Sequence, residues 1–323
     1  MAADRIVLVN LGTPSAATPE AVEVFLREFL GDPMVVDYPR WFWRPILEGM
    51  ILRKRPARVA VMYRSIWTDE GSPLYAGTVR IAEGVARLVD GRAKVDVAFR
   101  YGTLGLRNVL VDSDDVAGAV NRETVVLPLF PQRTGSSSGT VVALVDEMTR
   151  SGRIDGVRSA ALAPDASGYI EAVGARVREA VDRAGTEPEH LVVSFHGIPK
   201  RYDRKEGGVY QADCRATTEA LLSHLGWPTE RATLCYQSRF GPEPWLLPST
   251  AQVLPQLAAR GVKSVAVVTP GFLTDGLETL EEIGIHGREA FLAAGGATFV
   301  HVLAPAGHVA LDRALALACG LHV

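Results

Sequence analysis

Short apolar runs rich in β-branched residues alternate with amphipathic stretches along this chain, and that alternation limits its fold more than any other feature. The predicted strands are Arg5–Asn10, Lys94–Tyr101, Glu123–Phe130, Arg158–Leu162, Leu191–His196, Ala232–Gln237, Ser264–Thr269 and Thr298–Leu303. Strands that are apolar on both faces and separated by helices form parallel sheets covered by helices on both sides. The sequence therefore predicts an α/β protein.

The predicted helices lie between these strands. They fall near Glu20–Leu30, Thr78–Val89, Ser138–Arg150, Tyr169–Ala184, Ala212–Leu225, Ser249–Arg260, Leu277–Ala294 and His308–Cys319. Four predicted strands precede the segment Ala163–Asp165 and four follow it, so the chain of 323 residues divides into two similar halves. Such a length suits two domains of about 150 residues each. We expect domains at 1–163 and 164–323, with the last helix packing back on the first.

Composition excludes several classes of protein. The net charge is −3 and no long run has one sign, which argues against a nucleic-acid partner. The three cysteines, Cys214, Cys235 and Cys319, form no C-x-x-C pair, which indicates a reducing compartment. The N-terminus leads directly into a strand, and no apolar run reaches the roughly 18 residues of a membrane span. We expect a cytoplasmic protein.

One segment, residues 38–58, interrupts the α/β alternation and is called the lip below. It places Trp41, Phe42 and Trp43 close to several arginines. A buried helical hairpin with a solvated basic end is one interpretation. The other is an apolar flap that covers a large flat ligand or rests on a membrane interface.

A histidine at the end of a strand is the first candidate for chemistry. His196 ends the predicted strand Leu191–His196 in the stretch S-F-H-G-I-P, and Gly197 and Pro199 turn the chain there. A lone histidine is more often structural than catalytic. Ligands of open α/β sheets, however, bind beyond the carboxyl ends of the strands, which favours a functional role.

A second candidate follows the predicted strand Ser264–Thr269. Asp275 can cap the next helix, with Glu278 at capping-box spacing, and this structural role is sufficient to explain both acids. In an α-helix, however, Glu278, Glu282 and His286 share one face, and Glu281 lies off it. Two carboxylates and an imidazole on one face predict a path for a divalent metal such as Fe²⁺.

Cations and aromatic rings also recur near strand and helix ends. Arg64, Arg100, Tyr101 and Trp245 belong to such stretches, and each is explained individually by ordinary turn chemistry. Together they suit a flat aromatic ligand with acidic arms.

With these motifs in view, the chain resembles the ferrochelatases, the enzymes that insert Fe²⁺ into a porphyrin. The resemblance covers nearly the whole chain. It rests on seven motifs in the family's order, which are N-L-G-T-P at 10–14, G-S-P-L at 71–74, F-R-Y at 99–101, P-L-F-P-Q at 128–132, S-F-H-G-I-P at 194–199, C-Y-Q-S-R-F-G-P-E-P-W at 235–245 and D-G-L-E-T-L-E-E at 275–282. Seven ordered motifs are far more specific than any single one.

The resemblance implies two Rossmann-like domains, each with a four-stranded parallel sheet flanked by helices, and a porphyrin cleft between them. It implies that His196 and Glu278 face each other across this cleft, with His196 as the base that accepts a pyrrole proton. The expected metal contacts are His196, Asp275, Glu278, Glu282 and His286. The expected substrate contacts are Arg64, Arg100, Tyr101, Ser194 and Trp245.

The expected reaction is iron insertion in heme biosynthesis, with release of two protons. The apolar lip suits protoporphyrin IX. Coproporphyrin III carries four propionates, which would require more cationic side chains. We then expect the lip to cover the macrocycle and to contact a membrane surface. Fe²⁺ is a substrate, and we expect no tightly bound cofactor. Some relatives hold an iron–sulfur cluster on four cysteines, and this chain has three, so we expect no cluster.

The chain departs from the family pattern in three places. Gly276 stands where many relatives have Cys or His, and G-G-V-Y at 207–210 replaces G-D-P-Y. Leu11 stands where some relatives have a Tyr able to bind heme iron, so that role does not carry over. Two other functions stay open, a cobalt or other chelatase for a sirohydrochlorin-type tetrapyrrole, and a two-domain small-molecule binding protein.

Overall fold

The computed structural model describes residues 3–111 and 123–322, and over these ranges the strands form two sheets. The first contains β1 (Arg5–Thr13), β2 (Lys94–Gly102), β3 (Thr124–Pro128) and β4 (Val157–Ser159) in the order β2-β1-β3-β4. The second contains β5 (His190–His196), β6 (Ala232–Gln237), β7 (Ser264–Val268) and β8 (Thr298–His301) in the order β6-β5-β7-β8. All pairings between these strands are parallel. The prediction of two four-stranded parallel sheets is confirmed.

Helices connect the strands. They are α1 (Pro19–Gly31), α2 (Arg40–Ile46), α3 (Leu52–Ile66), α4 (Pro73–Val89), α5 (Leu106–Val111), α6 (Thr140–Arg150), α7 (Ser167–Ala184), α8 (Lys200–Lys205), α9 (Val209–Leu225), α10 (Thr250–Ala259), α11 (Arg288–Ala293) and α12 (Val309–Ala318). The chain divides into an N-terminal unit of Met1–Leu162 with Asp312–Val323, and a C-terminal unit of Ala163–Leu311.

Each sheet is buried by the helices beside it. In the N-terminal unit, Val7 and Val126 of the sheet pack with Leu144 and Met148 of α6. In the C-terminal unit, Val192 and Val267 pack with Leu254 of α10. Both faces of these strands are apolar, as parallel strands under helices require.

Some helices predicted as single α-helices contain a π-helical turn, in which hydrogen bonds run from residue i to i+5. The stretch predicted as Leu277–Ala294 is a π-helix over Leu277–Gly287 followed by α11. Similarly, a π-turn at Gly135–Gly139 precedes α6. The His301 imidazole lies where a side chain at Gly284 would extend, so the π-helix packs close against β8.

The lip is helical and is no hairpin. Helix α2, a π-turn at Leu47–Ile51 and α3 follow each other without a break. Trp41 is 80% exposed and Met50 63% exposed, whereas Trp43 turns inward and donates its Nε1–H to the carbonyl oxygen of Leu30 at 2.7 Å. The interpretation as a buried hairpin is therefore wrong, because the helices are continuous and Trp41 and Phe42 face solvent.

The last residues of the chain pack in the N-terminal unit. Arg92 donates to the carbonyl of His322 at 2.7 Å, and Arg158 donates to that of Cys319 at 3.1 Å. Asp312 of α12 is buried against Gly84 of α4, where any larger side chain would overlap its carboxylate. Within the described ranges, its Oδ1 has no hydrogen-bond partner. Burial raises the pKa of Asp312 to about 6, and the charge of Arg87 offsets part of this effect.

We predict that Asp312→Asn stabilises the protein at high pH. Because the pKa of Asp312 is raised in the folded protein, ionisation of this carboxyl lowers the free energy of unfolding. The loss is absent below about pH 4, where the carboxyl is protonated in both states, and complete above about pH 6. The melting temperature of the variant should exceed that of the unmodified protein by a few degrees at about pH 8 and match it at about pH 4. Asp146→Asn, on the exposed side of α6, is the control. An equal change in melting temperature caused by Asp312→Asn at both pH values would contradict the prediction.

Candidate active site

His196 stands at the carboxyl end of β5, and its ring has a defined tautomer. Its Nδ1 lies 2.6 Å from the carbonyl oxygen of Gly197. Because a carbonyl oxygen can only accept, Nδ1 carries the proton, and the neutral ring presents Nε2 as an acceptor. The ring of Phe272 lies beside it, with 6.3 Å between the centroids. The half-buried imidazole is therefore oriented to take a proton or bind a metal through Nε2.

Gly197 is required by close packing. Its N–H donates to the carbonyl oxygen of Gln237 at 2.8 Å, and a Cβ at this position would lie 2.7 Å from the same oxygen. The ring of Trp245 also packs here, since its Cε3 would be 3.1 Å from that Cβ. Trp245, expected to contact substrate, therefore packs on the backbone of the His196 loop.

Ser194 and Gln237 connect this loop to the π-helix. The Ser194 hydroxyl donates to Gln237 Oε1 at 2.7 Å and lies 2.7 Å from the Thr250 hydroxyl. The amide of Gln237 then donates from Nε2 to the carbonyl oxygen of Glu278 at 2.6 Å. Ser194 is completely buried, and its expected contact with substrate stays a prediction. It orients Gln237, which lies between His196 and Glu278.

Asp275 has a structural role at the start of the π-helix. Its carboxylate accepts from the Thr279 hydroxyl at 2.8 Å and from the backbone N–H of Ala304 at 3.2 Å. Burial raises its pKa. The helix begins one residue after Gly276, so Thr279, rather than Glu278, makes the capping contact to the Gly276 N–H at 3.0 Å. These two donors hold the Asp275 carboxylate, which does not favour the expected metal contact.

The predicted stripe of Glu278, Glu282 and His286 is rearranged by the π-helix. Glu282 accepts from the backbone N–H of Ser238 at 2.7 Å and from its hydroxyl at 2.5 Å. His286 is exposed, and its Nδ1 lies 3.1 Å from Oε1 of the buried Glu281. In an i→i+5 helix, Glu281 is one turn from His286, although α-helical spacing leaves it off the stripe. Across residues 3–111 and 123–322, no three His, Cys, Asp or Glu side chains form a group that could hold a metal ion.

The predicted substrate contacts of the N-terminal unit differ in exposure. Arg64 is exposed and donates to the carbonyl of Ala17 at 3.3 Å. Arg100 is paired with Asp32 at 2.6 Å, and Tyr101 donates its hydroxyl to the same carboxylate at 2.8 Å. Tyr101 is buried and burial raises its pKa, so the phenol stays protonated and holds Asp32. The expected contact of Tyr101 with substrate stays a prediction.

Sequence reasoning missed the residues that hold the site together. Gln237 and Ser238 are polar residues at the end of β6, which is the neighbour of β5. The sequence did contain a signal for them, because both lie at the end of a predicted strand, where ligands of such sheets bind. Glu281 gave no signal, because only the π-helix brings it to His286.

Comparison with known proteins gives a family match. A family model described as Ferrochelatase matches residues 4–319. Proteins named Ferrochelatase from Klebsiella pneumoniae (strain 342) and Edwardsiella ictaluri (strain 93-146) are 43% and 42% identical, and each alignment covers 92% of this chain and 91% of the relative. The protein of that name from Sodalis glossinidius is 42% identical, over 97% of this chain and 93% of its own.

Solved structures share the fold at low identity. SirB from Bacillus subtilis with Fe³⁺ aligns with a TM-score of 0.57 at 12% identity, over 98% of this chain and 94% of its own. The sirohydrochlorin chelatase SirB from Bacillus subtilis subspecies spizizenii, in complex with cobalt, aligns at 0.52 and 11% identity, over 98% and 95%.

We predict that Gly197→Ala destabilises the protein and Gly276→Ala does not. A Cβ at 197 meets the Gln237 carbonyl at 2.7 Å and should lower the free energy of unfolding by about 1–3 kcal/mol. Gly276 has an extended backbone (φ −160°), and a Cβ there meets only the Glu278 carboxylate at 3.4 Å. Chemical denaturation of both variants tests this, and equal stability of the two would contradict the packing argument.

Proposed function

Because the chain belongs to the ferrochelatase family, we propose that it inserts Fe²⁺ into protoporphyrin IX, in preference to coproporphyrin III. The reaction places one dication in the ring and releases the two pyrrole protons. Fe²⁺ is a substrate in this proposal, and no tightly bound cofactor or iron–sulfur cluster takes part. The three cysteines are buried and form no disulfide.

The observation that carries this proposal is the orientation of His196. A base must take protons from pyrrole nitrogens, and imidazole titrates close to neutral pH. The contact of Nδ1 with the Gly197 carbonyl leaves Nε2 as the acceptor at the carboxyl end of β5, where ligands of such sheets bind. We assign His196 as the proton acceptor, able also to bind the entering metal through Nε2.

Glu278 is assigned as the metal ligand or second proton acceptor. Gln237 joins the two functional residues, because it is paired with His196 in the sheet and donates to the Glu278 backbone. Glu282 and His286 continue along the π-helix toward the exposed end and are assigned to metal delivery or proton removal. Arg64 is the exposed cation assigned to a propionate, whereas Arg100 would have to exchange its pairing with Asp32.

The sirohydrochlorin alternative is not favoured. Likeness to SirB at 11–12% identity supports the fold alone. The family model and the relatives at 42–43% identity point to a ferrochelatase instead. The alternative of a binding protein predicts porphyrin binding without turnover.

We predict that His196→Gln lowers kcat for iron insertion by at least about a hundredfold, because it removes the base. Glu278→Gln should have an effect of similar size. Anaerobic assays follow the absorbance change from porphyrin to heme, and a pH indicator counts two protons released per heme. His224→Gln, on the exposed face of α9, should stay within about twofold of the unmodified enzyme.

Near-normal insertion by His196→Gln together with loss of activity in Glu278→Gln would contradict the assignment of the base. Turnover with Co²⁺ and a sirohydrochlorin, without any with Fe²⁺ and porphyrin, would favour the first alternative. Porphyrin binding with no turnover under any condition would favour the second.

The lip supports the choice of porphyrin. Trp41 and Phe42 are exposed at the start of α2, and they suit the apolar edge of protoporphyrin better than four propionates. Arg40 and Arg44 lie beside them and suit anionic headgroups, so we also propose a peripheral membrane contact. Among the described helices, none is both long and apolar enough to cross a bilayer. A cytoplasmic enzyme that touches the membrane through its lip accounts for these features.

We predict that the double substitution Trp41→Ser/Phe42→Ser raises the KM for protoporphyrin about tenfold and changes the KM for coproporphyrin much less. It should also reduce co-sedimentation with anionic vesicles, because both effects depend on exposed apolar area. Val24→Ser/Val61→Ser, which changes exposed apolar residues of α1 and α3, is the matched control. An unchanged ratio of kcat/KM for the two porphyrins would contradict selection by the lip.

A further inference from the structure

The backbone carbonyl of His196 lacks a strand partner. Strand β5 pairs with β6 as far as His196 and Gln237, but its pairing with β7 ends at Val193 and Val268. In a parallel strand, consecutive residues direct their hydrogen-bonding groups to opposite neighbours. The N–H of Gly197 bonds to Gln237 on the β6 side, so the His196 carbonyl points to the side where β7 has already ended.

Tyr210 supplies the missing partner. It lies in the first turn of α9 and is buried, and its hydroxyl donates to the His196 carbonyl oxygen at 2.6 Å. Burial raises the pKa of Tyr210 well above its ordinary value, so the phenol keeps the proton that it donates. Buried backbone groups are nearly always hydrogen-bonded. Here the Tyr210 hydroxyl supplies the hydrogen bond that a longer neighbouring strand would have supplied.

The two contacts fix a single peptide plane. The C=O of His196 and the N–H of Gly197 belong to the same planar unit. Tyr210 holds one end at 2.6 Å and Gln237 holds the other at 2.8 Å. This plane sets the direction in which the chain leaves β5. The next carbonyl along the chain, that of Gly197, lies 2.6 Å from Nδ1 of the His196 ring.

We propose that Tyr210 is a positioning residue that holds His196 in its Nδ1–H tautomer, with Nε2 presented to substrate. The proposal rests on the assignment of His196 as the proton acceptor. Without the Tyr210 hydroxyl, the peptide plane is held on one side only, and the Gly197 carbonyl loses its fixed place beside the ring. The proton then distributes between Nδ1 and Nε2, and the fraction of rings able to accept through Nε2 falls.

The test is Tyr210→Phe, which removes one oxygen atom. In full-length protein with ¹⁵N-labelled histidine at about pH 8, where imidazole is mostly neutral, the His196 signals are assigned by their loss in His196→Gln. The unmodified protein should show Nδ1 protonated and Nε2 unprotonated, and the variant should show both shifts moved toward their average. The kcat for iron insertion should fall about tenfold, with the KM for protoporphyrin within about twofold.

Tyr169→Phe is the matched control. Tyr169 is also buried in the C-terminal unit, and its hydroxyl donates to the carbonyl oxygen of Pro270 at 2.7 Å. It should lose comparable stability while the His196 signals stay unchanged. Unchanged His196 signals in Tyr210→Phe would overturn the proposal, whatever the activity. Full activity of His196→Gln would instead overturn the assignment of the base, so the two failures are distinguishable.

Discussion

Parallel pairing of β5 with β6 places His196 beside Gln237, and the geometry of the candidate site depends on that register. A shift by one residue would turn His196 to the other face of the sheet and bury a different set of side chains. The hydrogen bond from the Ser194 hydroxyl of β5 to the side chain of Gln237 of β6 opposes such a shift. A polar contact between the two strands thus helps to fix the position of the chemistry at their ends.

The π-helix is the second constraint on the site. Its extra residue per turn places Glu281 inside against His286, and Glu282 against Ser238 at the end of β6. Ile283 of the same helix is buried in the core with α10, which fixes the rotation of the helix. The acids therefore differ in environment although they are adjacent in sequence. Glu282 accepts two hydrogen bonds from Ser238, while Glu281 lies 3.1 Å from Nδ1 of the His286 imidazole.

Much of this arrangement could be predicted from the sequence, and the exceptions have physical reasons. The strands were predictable because parallel strands under helices are apolar throughout, and the place of His196 followed from the rule that ligands bind at strand ends. The π-helix was not predictable, since the sequence pattern of Leu277–Ala294 also fits an ordinary α-helix. Ser194 and Tyr101 sit in motifs that suggest substrate contact, yet both are buried as supports for Gln237 and Asp32. Their side chains alone do not reveal whether they face substrate or hold a neighbour that does.

The position of the last residues has a consequence for how the protein is made. Asp312–Val323 belong to the unit formed by Met1–Leu162, and Arg92 and Arg158 donate to the carbonyls of His322 and Cys319. During synthesis the C-terminal unit, Ala163–Leu311, leaves the ribosome before these contacts can form. The N-terminal unit, although most of it is translated first, is complete only after Asp312–Val323 have been translated. Vectorial folding, in which the first domain finishes first, therefore does not fully apply to this chain.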